Sequence, residues 1–193
     1  MEWLISDNHF DHLNILQFEK ETRGQFKDIG EMNKHMIDKW NETVQPNDTV
    51  YYIGDFGMNI KYTRWVELLS QLNGIIVLIS GNHDDTKTVK RLENDGLILL
   101  HEVGLKLKRN KHIMWLTHYP MEIGLRPRKW SVSGHIHSTP STYKNQLNVG
   151  VDSPLMKQLG KKFGEPISMD ELLSYMDSIT PEIESYYSNL RGE

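Results

Sequence analysis

The chain of 193 residues contains no cysteine. That excludes disulfides, thiolate nucleophiles and cysteine-ligated metal centres, and it suits a reducing compartment. Long apolar runs are also missing, and no stretch approaches the ~20 residues needed to cross a bilayer. At the start, Glu2 precedes only three apolar residues before a polar cluster begins, which is not the pattern of a secretory leader. Together these absences lead to the expectation of a cytoplasmic protein with no membrane partner. Positive charge is not in excess: 22 Lys and Arg stand against 26 Asp and Glu, a net charge of −4. This leaves no electrostatic footprint for long nucleic acid, although a nucleotide or a short RNA stays compatible. Repeats and low-complexity tracts are absent as well. A hydrophobic content of 38% with five Trp is enough for one sizeable core. The length therefore predicts a single domain over residues 1–193, with 153–193 as a helical extension packed on it.

What the chain does have is a set of seven metal-ligand-type side chains in five short clusters. Asp7 and His9 lie in Ser6-Asp7-Asn8-His9, Asp55 in Gly54-Asp55-Phe56, and Asn82 in Gly81-Asn82-His83-Asp84. His118 lies in Thr117-His118-Tyr119-Pro120, and His135 and His137 in Gly134-His135-Ile136-His137. Most of these clusters follow an apolar run and open at Gly or a small polar residue, where a strand gives way to a loop. Carboxylate, amide oxygen and imidazole donors suit Mn²⁺ and Mg²⁺, and imidazole also suits Zn²⁺ and Fe. Two divalent ions, two aspartates and a bridging hydroxide would leave about +1, a field suited to a phosphate ester. His83 lies beside a donor and is a candidate to protonate a leaving group.

The ordered set Asp-x-His, Gly-Asp, Gly-Asn-His-Asp, His, Gly-His-x-His resembles the calcineurin-like metallophosphoesterases across residues 5–137, and flanking strands extend the resemblance to about 152. Ile5-Ser6-Asp7-Asn8-His9-Phe10 and Gly150-Val151-Asp152 resemble small bacterial and phage members. The resemblance implies an α/β fold, a four-layer α-β-β-α sandwich with two mixed sheets. It implies two divalent metal ions, Mn first, with Fe, Zn, Mg or Ni as alternatives. By the same resemblance Asp7, His9 and His137 hold the first metal, Asp55 bridges, and Asn82, His118 and His135 hold the second. His83 then contacts the substrate as the acid. One departure matters: protein phosphatases of this superfamily carry Gly-Asp-x-x-Asp-Arg-Gly and Gly-Asn-His-Glu, whereas Gly54-Asp55 is followed by Phe56-Gly57-Met58-Asn59 and Gly-Asn-His by Asp84. The carboxylate that orients the catalytic His in that branch is missing, with Asp84 or Asp85 as substitutes. This favours a phosphodiester, nucleotide-like substrate; a phosphomonoester, a nuclease substrate or a non-catalytic protein-binding scaffold are the alternatives.

Apolar runs at 3–5, 49–53 and 75–79 read as strands delivering the first three clusters. Asp28-x-x-Glu31 opens a helix with Met32, Met36 and Trp40 on one face; Tyr62, Trp65 and Leu69 mark a second, and a third spans about Asp85 to Asn94. Leu97–Val103, Leu105–Leu107 and His112–Thr117, with Arg109-Asn110-Lys111 as a turn, read as successive strands of a second, more antiparallel half completed by 132–134 and 147–151. In the tail, Ser168-x-x-Glu171 opens one helix, and Thr180-Pro181 opens another that Gly192 ends. Tyr186 and Tyr187 offer a self-association surface, so a homo-oligomer is an open expectation. Arg126, Arg128 and Lys129 join two ligand loops and are either phosphate contacts at the mouth of the site or ordinary loop charges. Trp130 stacks on a base or anchors the loop in the core. For His12, hydrogen bonding behind the ligands competes with simple loop structure, and Asn14 reads as an N-cap.

Overall fold

The computed structural model describes residues 1–192. β1 (Glu2–Ile5) runs into the first ligand cluster. Two short helices, α1 (Ile15–Phe18) and α2 (Lys20–Arg23), and the longer α3 (Ile29–Thr43) then return the chain to β2 (Thr49–Tyr52). α4 (Tyr62–Leu69) leads to β3 (Ile75–Ile79), and α5 (Thr86–Asn94) leads to β4 (Leu99–His101). The helical crossovers make these four strands parallel, with Ile5 beside Tyr52 and Tyr52 beside Leu78. β5 (Leu105–Arg109) and β6 (His112–Leu116) form an antiparallel hairpin whose turn residues Asn110 and Lys111 both take positive φ, 43° and 70°. A two-residue hairpin loop of this twist requires that conformation at both positions. β7 (Lys129–Ser133), β8 (Gln146–Asn148), α6 (Pro154–Gln158), β9 (Ile167–Ser168) and α7 (Met169–Arg191) complete the chain.

The strands form two mixed sheets, ordered β4-β3-β2-β1-β9 and β5-β6-β7-β8. Period-two alternation splits the first sheet between two cores. Trp3, Ile5, Val50, Tyr52, Ile76 and Leu78 face α3, α4 and α5, meeting Met36, Trp40, Trp65 and Leu92. Leu4, Tyr51, Ile53, Val77 and Ile79 face the second sheet, meeting Met114, Leu116, Trp130 and Val132. Trp130 is fully buried and its Nε1 donates to His112 Nδ1 (2.8 Å), so it is a core anchor and has no route to a base. α6 packs on β8, and α7 packs on β1 and β9. Asp28 accepts from the Glu31 amide at the start of α3, and Ser168 and Glu171 close a full capping box on α7.

Three expectations need correction. Leu97–Val103 contributes only β4, and β4 lies parallel to β3 at the edge of the first sheet, because α5 supplies the crossover. The second sheet is not mainly antiparallel: β6–β7 and β7–β8 are parallel, since the long connections after His118 and His137 carry the chain back before each new strand. Thr180-Pro181 does not begin a helix. α7 runs unbroken through Pro181 to its left-handed cap at Gly192, and Thr180 Oγ1 donates to the Met176 carbonyl (2.7 Å). A proline ring lacks only one helical N–H, and the surrounding packing outweighs that loss. Asn14 sits at the N-cap of α1, but its side chain makes no capping bond.

Candidate metal centre

All parallel strands point the same way, so the five clusters emerge together at their C-terminal ends. Asp7 and His9 follow β1, Asp55 follows β2, and Asn82 and His83 follow β3. His118 follows β6, and His135 and His137 follow β7. A parallel bridge between Ser6 and Gly150 fastens the two sheets at this end. The turns are tight: Asp7, His9, Asp55, His135 and His137 all hold positive φ, between 47° and 70°. For non-glycine residues this conformation costs energy and persists where surrounding structure enforces it. Gly81 and Gly134 allow the close approach, because a Cβ on Gly81 would collide with the Asp55 carboxylate and one on Gly134 with Ser6 and Asp7.

Two donor groups result. Asp7, His9 and His137 offer one ligand atom each, all within 4.8 Å of one another, and Asp55, His118 and His135 do the same. Asp55 Oδ2 stands between them, 3.5 Å from His9 Nε2 and 3.3 Å from His118 Nε2. Asn82 Oδ1 lies 3.0 Å from His118 Nε2, joining the second group. His118 Nδ1 faces the Ile53 carbonyl (2.9 Å) and His137 Nδ1 faces Asp152 Oδ2 (3.2 Å), so each ring turns Nε2 toward the cluster. His9 Nε2 is buried and has no hydrogen-bond partner among the described residues. A buried ring nitrogen left bare at the meeting point of two carboxylates and several imidazoles is what a metal ligand looks like without its ion. The donor set therefore fits two divalent cations.

The electrostatics agree with that fit. Burial drives the His9 imidazole down to about 2, which keeps it neutral and able to ligate. Burial pushes the Asp55 carboxyl up, but the His118 hydrogen bond and charge and the His83 amide outweigh it and hold Asp55 at about 2. Burial disfavours a charged His118, yet its bond to Asp55 and the nearby carboxylates lift it to about 9. Asp7 is raised by burial, although the His135 amide donates to both of its oxygens (3.1 and 3.0 Å). His83 lies at the open side. A third of its side chain is exposed, Nε2 is 4.0 Å from Asp55 Oδ2, and its ring centroid is 5.3 Å from that of His9.

Other residues singled out in the sequence fall into different roles. Asp84 is buried and accepts the amides of Asp55 (2.9 Å), Phe56 (3.0 Å) and Gly81 (2.8 Å), pinning two ligand loops together. Asp85 caps α5 through the Thr88 amide. Both carboxylates are thus engaged with backbone rather than with the His83 ring. His12 Nδ1 meets His9 Nδ1 at 3.3 Å, directly behind a ligand. Arg128 is not at the mouth. It precedes β7, at the strand end opposite the ligands, and its guanidinium faces Asp177 (3.9 Å) and Glu184 (3.7 Å) of α7. Arg126 lies on the same remote loop, exposed and without a hydrogen bond or ion pair among the described residues. Sequence reasoning missed Arg23, which is fully buried between the Asp7 loop and Asp152. It sits in an ordinary polar stretch, Glu19-Lys20-Glu21-Thr22-Arg23-Gly24, that carries no signal of burial.

A two-sheet α/β sandwich that gathers paired His and Asp donor groups at its parallel strand ends is the architecture of a metallophosphoesterase. The family model for calcineurin-like phosphoesterases matches residues 3–154, and the chain belongs to that family. It is similar to the uncharacterized protein MJ1445 of Methanocaldococcus jannaschii, 45% identical over 83 residues, or 42% of this chain. That match spans about half (46%) of the relative's own length. Among solved structures, the protein of unknown function AQ665 from Aquifex aeolicus shares the fold, with a TM-score of 0.68 at 22% identity over 90% of this chain and 98% of that one. Among the described residues no helix is long and apolar enough to cross a membrane.

Proposed function

We propose that this phosphoesterase uses two divalent ions to hydrolyse a small phosphodiester, nucleotide-like in character. The position of Asp55 Oδ2 between His9 and His118 carries the dinuclear reading, because it gives one carboxylate reach into both donor groups. When bound, such ions, manganese first, supply an activated water and neutralise charge developing on the phosphoryl oxygens. Asp7, His9 and His137 would hold one ion and Asn82, His118 and His135 the other, with Asp55 within reach of both groups. With Asn82 Oδ1 turned to the second donor group, its Nδ2 would be left to donate to a phosphoryl oxygen. His83, exposed beside the cluster, donates a proton from its imidazole to the departing alkoxide oxygen. Preference for a diester is supported by the charges around the site. A monoester dianion gains most from an arginine fork, but Arg23 is buried with its donors engaged, Arg64 is tied to Asp11, and Arg128 is turned to α7.

The test is hydrolysis of a chromogenic phosphodiester beside its monoester, with metal-free protein resupplied with Mn²⁺, Mg²⁺ or Zn²⁺ and His83→Ala as control. Metal-dependent cleavage of the chromogenic diester supports the proposal, and on an alkyl phosphodiester, whose alkoxide must be protonated, His83→Ala should lower the rate roughly 10²–10⁴-fold, the range expected for losing a general acid. Monoester preference redirects the substrate class. No turnover by protein that binds two ions favours a non-catalytic scaffold.

A further inference from the structure

We infer that Arg23 and Asp152 form a buried positioning pair dedicated to the first donor group, Asp7, His9 and His137, and that the second group forms without them. The guanidinium of Arg23 has no solvent exposure, and each of its nitrogens is committed. Nε donates to both Asp152 oxygens (3.0 and 3.1 Å) and Nη2 to Asp152 Oδ2 (2.5 Å). Nη2 also donates to the Asp7 carbonyl (2.6 Å), and Nη1 to the Asn8 carbonyl (2.8 Å). These two carbonyls bracket the turn in which Asp7 and His9 take φ of 59° and 51°. Arg23 thus holds the strained backbone from which two donors project. A lysine could not replace it, since one ammonium cannot span a carboxylate and two carbonyls in a fixed plane.

Asp152 completes the device. Besides Arg23 it accepts from Thr22 Oγ1 (2.5 Å), and its Oδ2 lies 3.2 Å from His137 Nδ1. A carboxylate there fixes the proton on Nδ1 and directs Nε2 to the cluster, the arrangement by which a residue behind a metal-ligating histidine sets its tautomer. One ion pair therefore governs all three donors of the first group. Neither residue of the pair touches a second-group donor: His118 is held by the Ile53 carbonyl and Asp55 by the His83 amide (2.9 Å), and the His135 amide, on Asp7, reaches across to the first group. The pair bridges residues 129 positions apart, linking α2 to the turn before α6. The order of that segment and the loading of the first group are thereby coupled.

The inference rests on the metal reading above, but its readout is ion binding. A wild type that binds two ions and hydrolyses nothing would sink the catalytic proposal and leave this one standing. The experiment is calorimetric titration of metal-free wild type, Asp152→Asn and Arg23→Met with Mn²⁺, with Co²⁺ loading followed by visible absorption. Wild type should take two equivalents. In each variant one equivalent should weaken about 10- to 100-fold while the other keeps its wild-type affinity, the usual cost of removing a residue behind a ligand. Equal weakening of both equivalents marks a merely structural role and overturns the inference. So does no weakening, or a wild type that binds fewer than two ions. Should Arg23→Met fail to fold, the near-isosteric Asp152→Asn carries the test.

Discussion

At the residue scale, the candidate centre is defined by which ring nitrogen each histidine turns toward the other donors. His118 and His137 have Nδ1 engaged by an acceptor, and His9 Nε2 is buried without a partner. The seven donor-type side chains that the structure brings to one end stood out in the sequence because few residue types ligate divalent ions and most of their clusters follow a strand-like run. Arg23 was not, because its partners stand 15, 16 and 129 positions away and no local pattern encodes such a contact. The same scale yields a pH prediction. His118, lifted to about 9 in the metal-free protein, carries a proton at neutral pH. An ion requires the neutral ring, so binding must expel that proton. Affinity should therefore rise with pH, by up to about tenfold per unit, and level off once the pH passes the raised value. Calorimetry in buffers of different ionisation enthalpy should register about one proton released at pH 7 from this group. Binding without proton release and independent of pH would show that His118 is not displaced.

At the element scale, helices were read well where periodicity and caps agreed, as in α3 with Asp28 and α7 with Ser168. Pairing was read less well. Leu99–His101 joins the first sheet because its partner β3 is brought to it by α5, and its own sequence does not name that partner. Thr180-Pro181 carries a sound helix-start signal that loses to packing, since Met176 and Ile183 on either side are both buried. α7 is also joined to the second sheet by polar contacts: His112 is fully buried, its Nε2 meets Asp177 Oδ1 (2.9 Å), and its Nδ1 accepts from Trp130 (2.8 Å). His112→Ala should leave the indole N–H unpaired and open a void, lowering stability by about 2–4 kcal/mol. Denaturant melts check this, with metal content unchanged because the residue lies at the strand end remote from the ligands. A loss below about 0.5 kcal/mol, the scale of an ordinary surface change, would contradict the role assigned.

At the scale of the whole molecule, two sheets share one inner core and present their ligand loops at one end. The tail beyond the last ligand is part of that construction. β9 pairs antiparallel with β1, and Leu172, Leu173, Met176 and Ile183 lie in the core between the sheets. A surface extension used only to bind a partner could be removed without harm to the metal centre. The packing predicts the opposite. Deleting residues 168–193 should uncover the inner core and abolish cooperative unfolding, as followed by circular dichroism, and metal binding should be lost with it. A truncated chain that melts cooperatively and still takes up two ions would show the tail to be separable.

In the function proposed, one shared carboxylate joins two metal sites into one hydrolytic centre. This is tested most directly by titrating metal-free protein with Mn²⁺ while following hydrolysis of a chromogenic phosphodiester. The rate should be negligible with chelator and climb to a plateau at two equivalents, with Asp55→Ala binding neither ion tightly and showing no plateau. A full rate in the presence of chelator, or a plateau reached at a single equivalent, would contradict it.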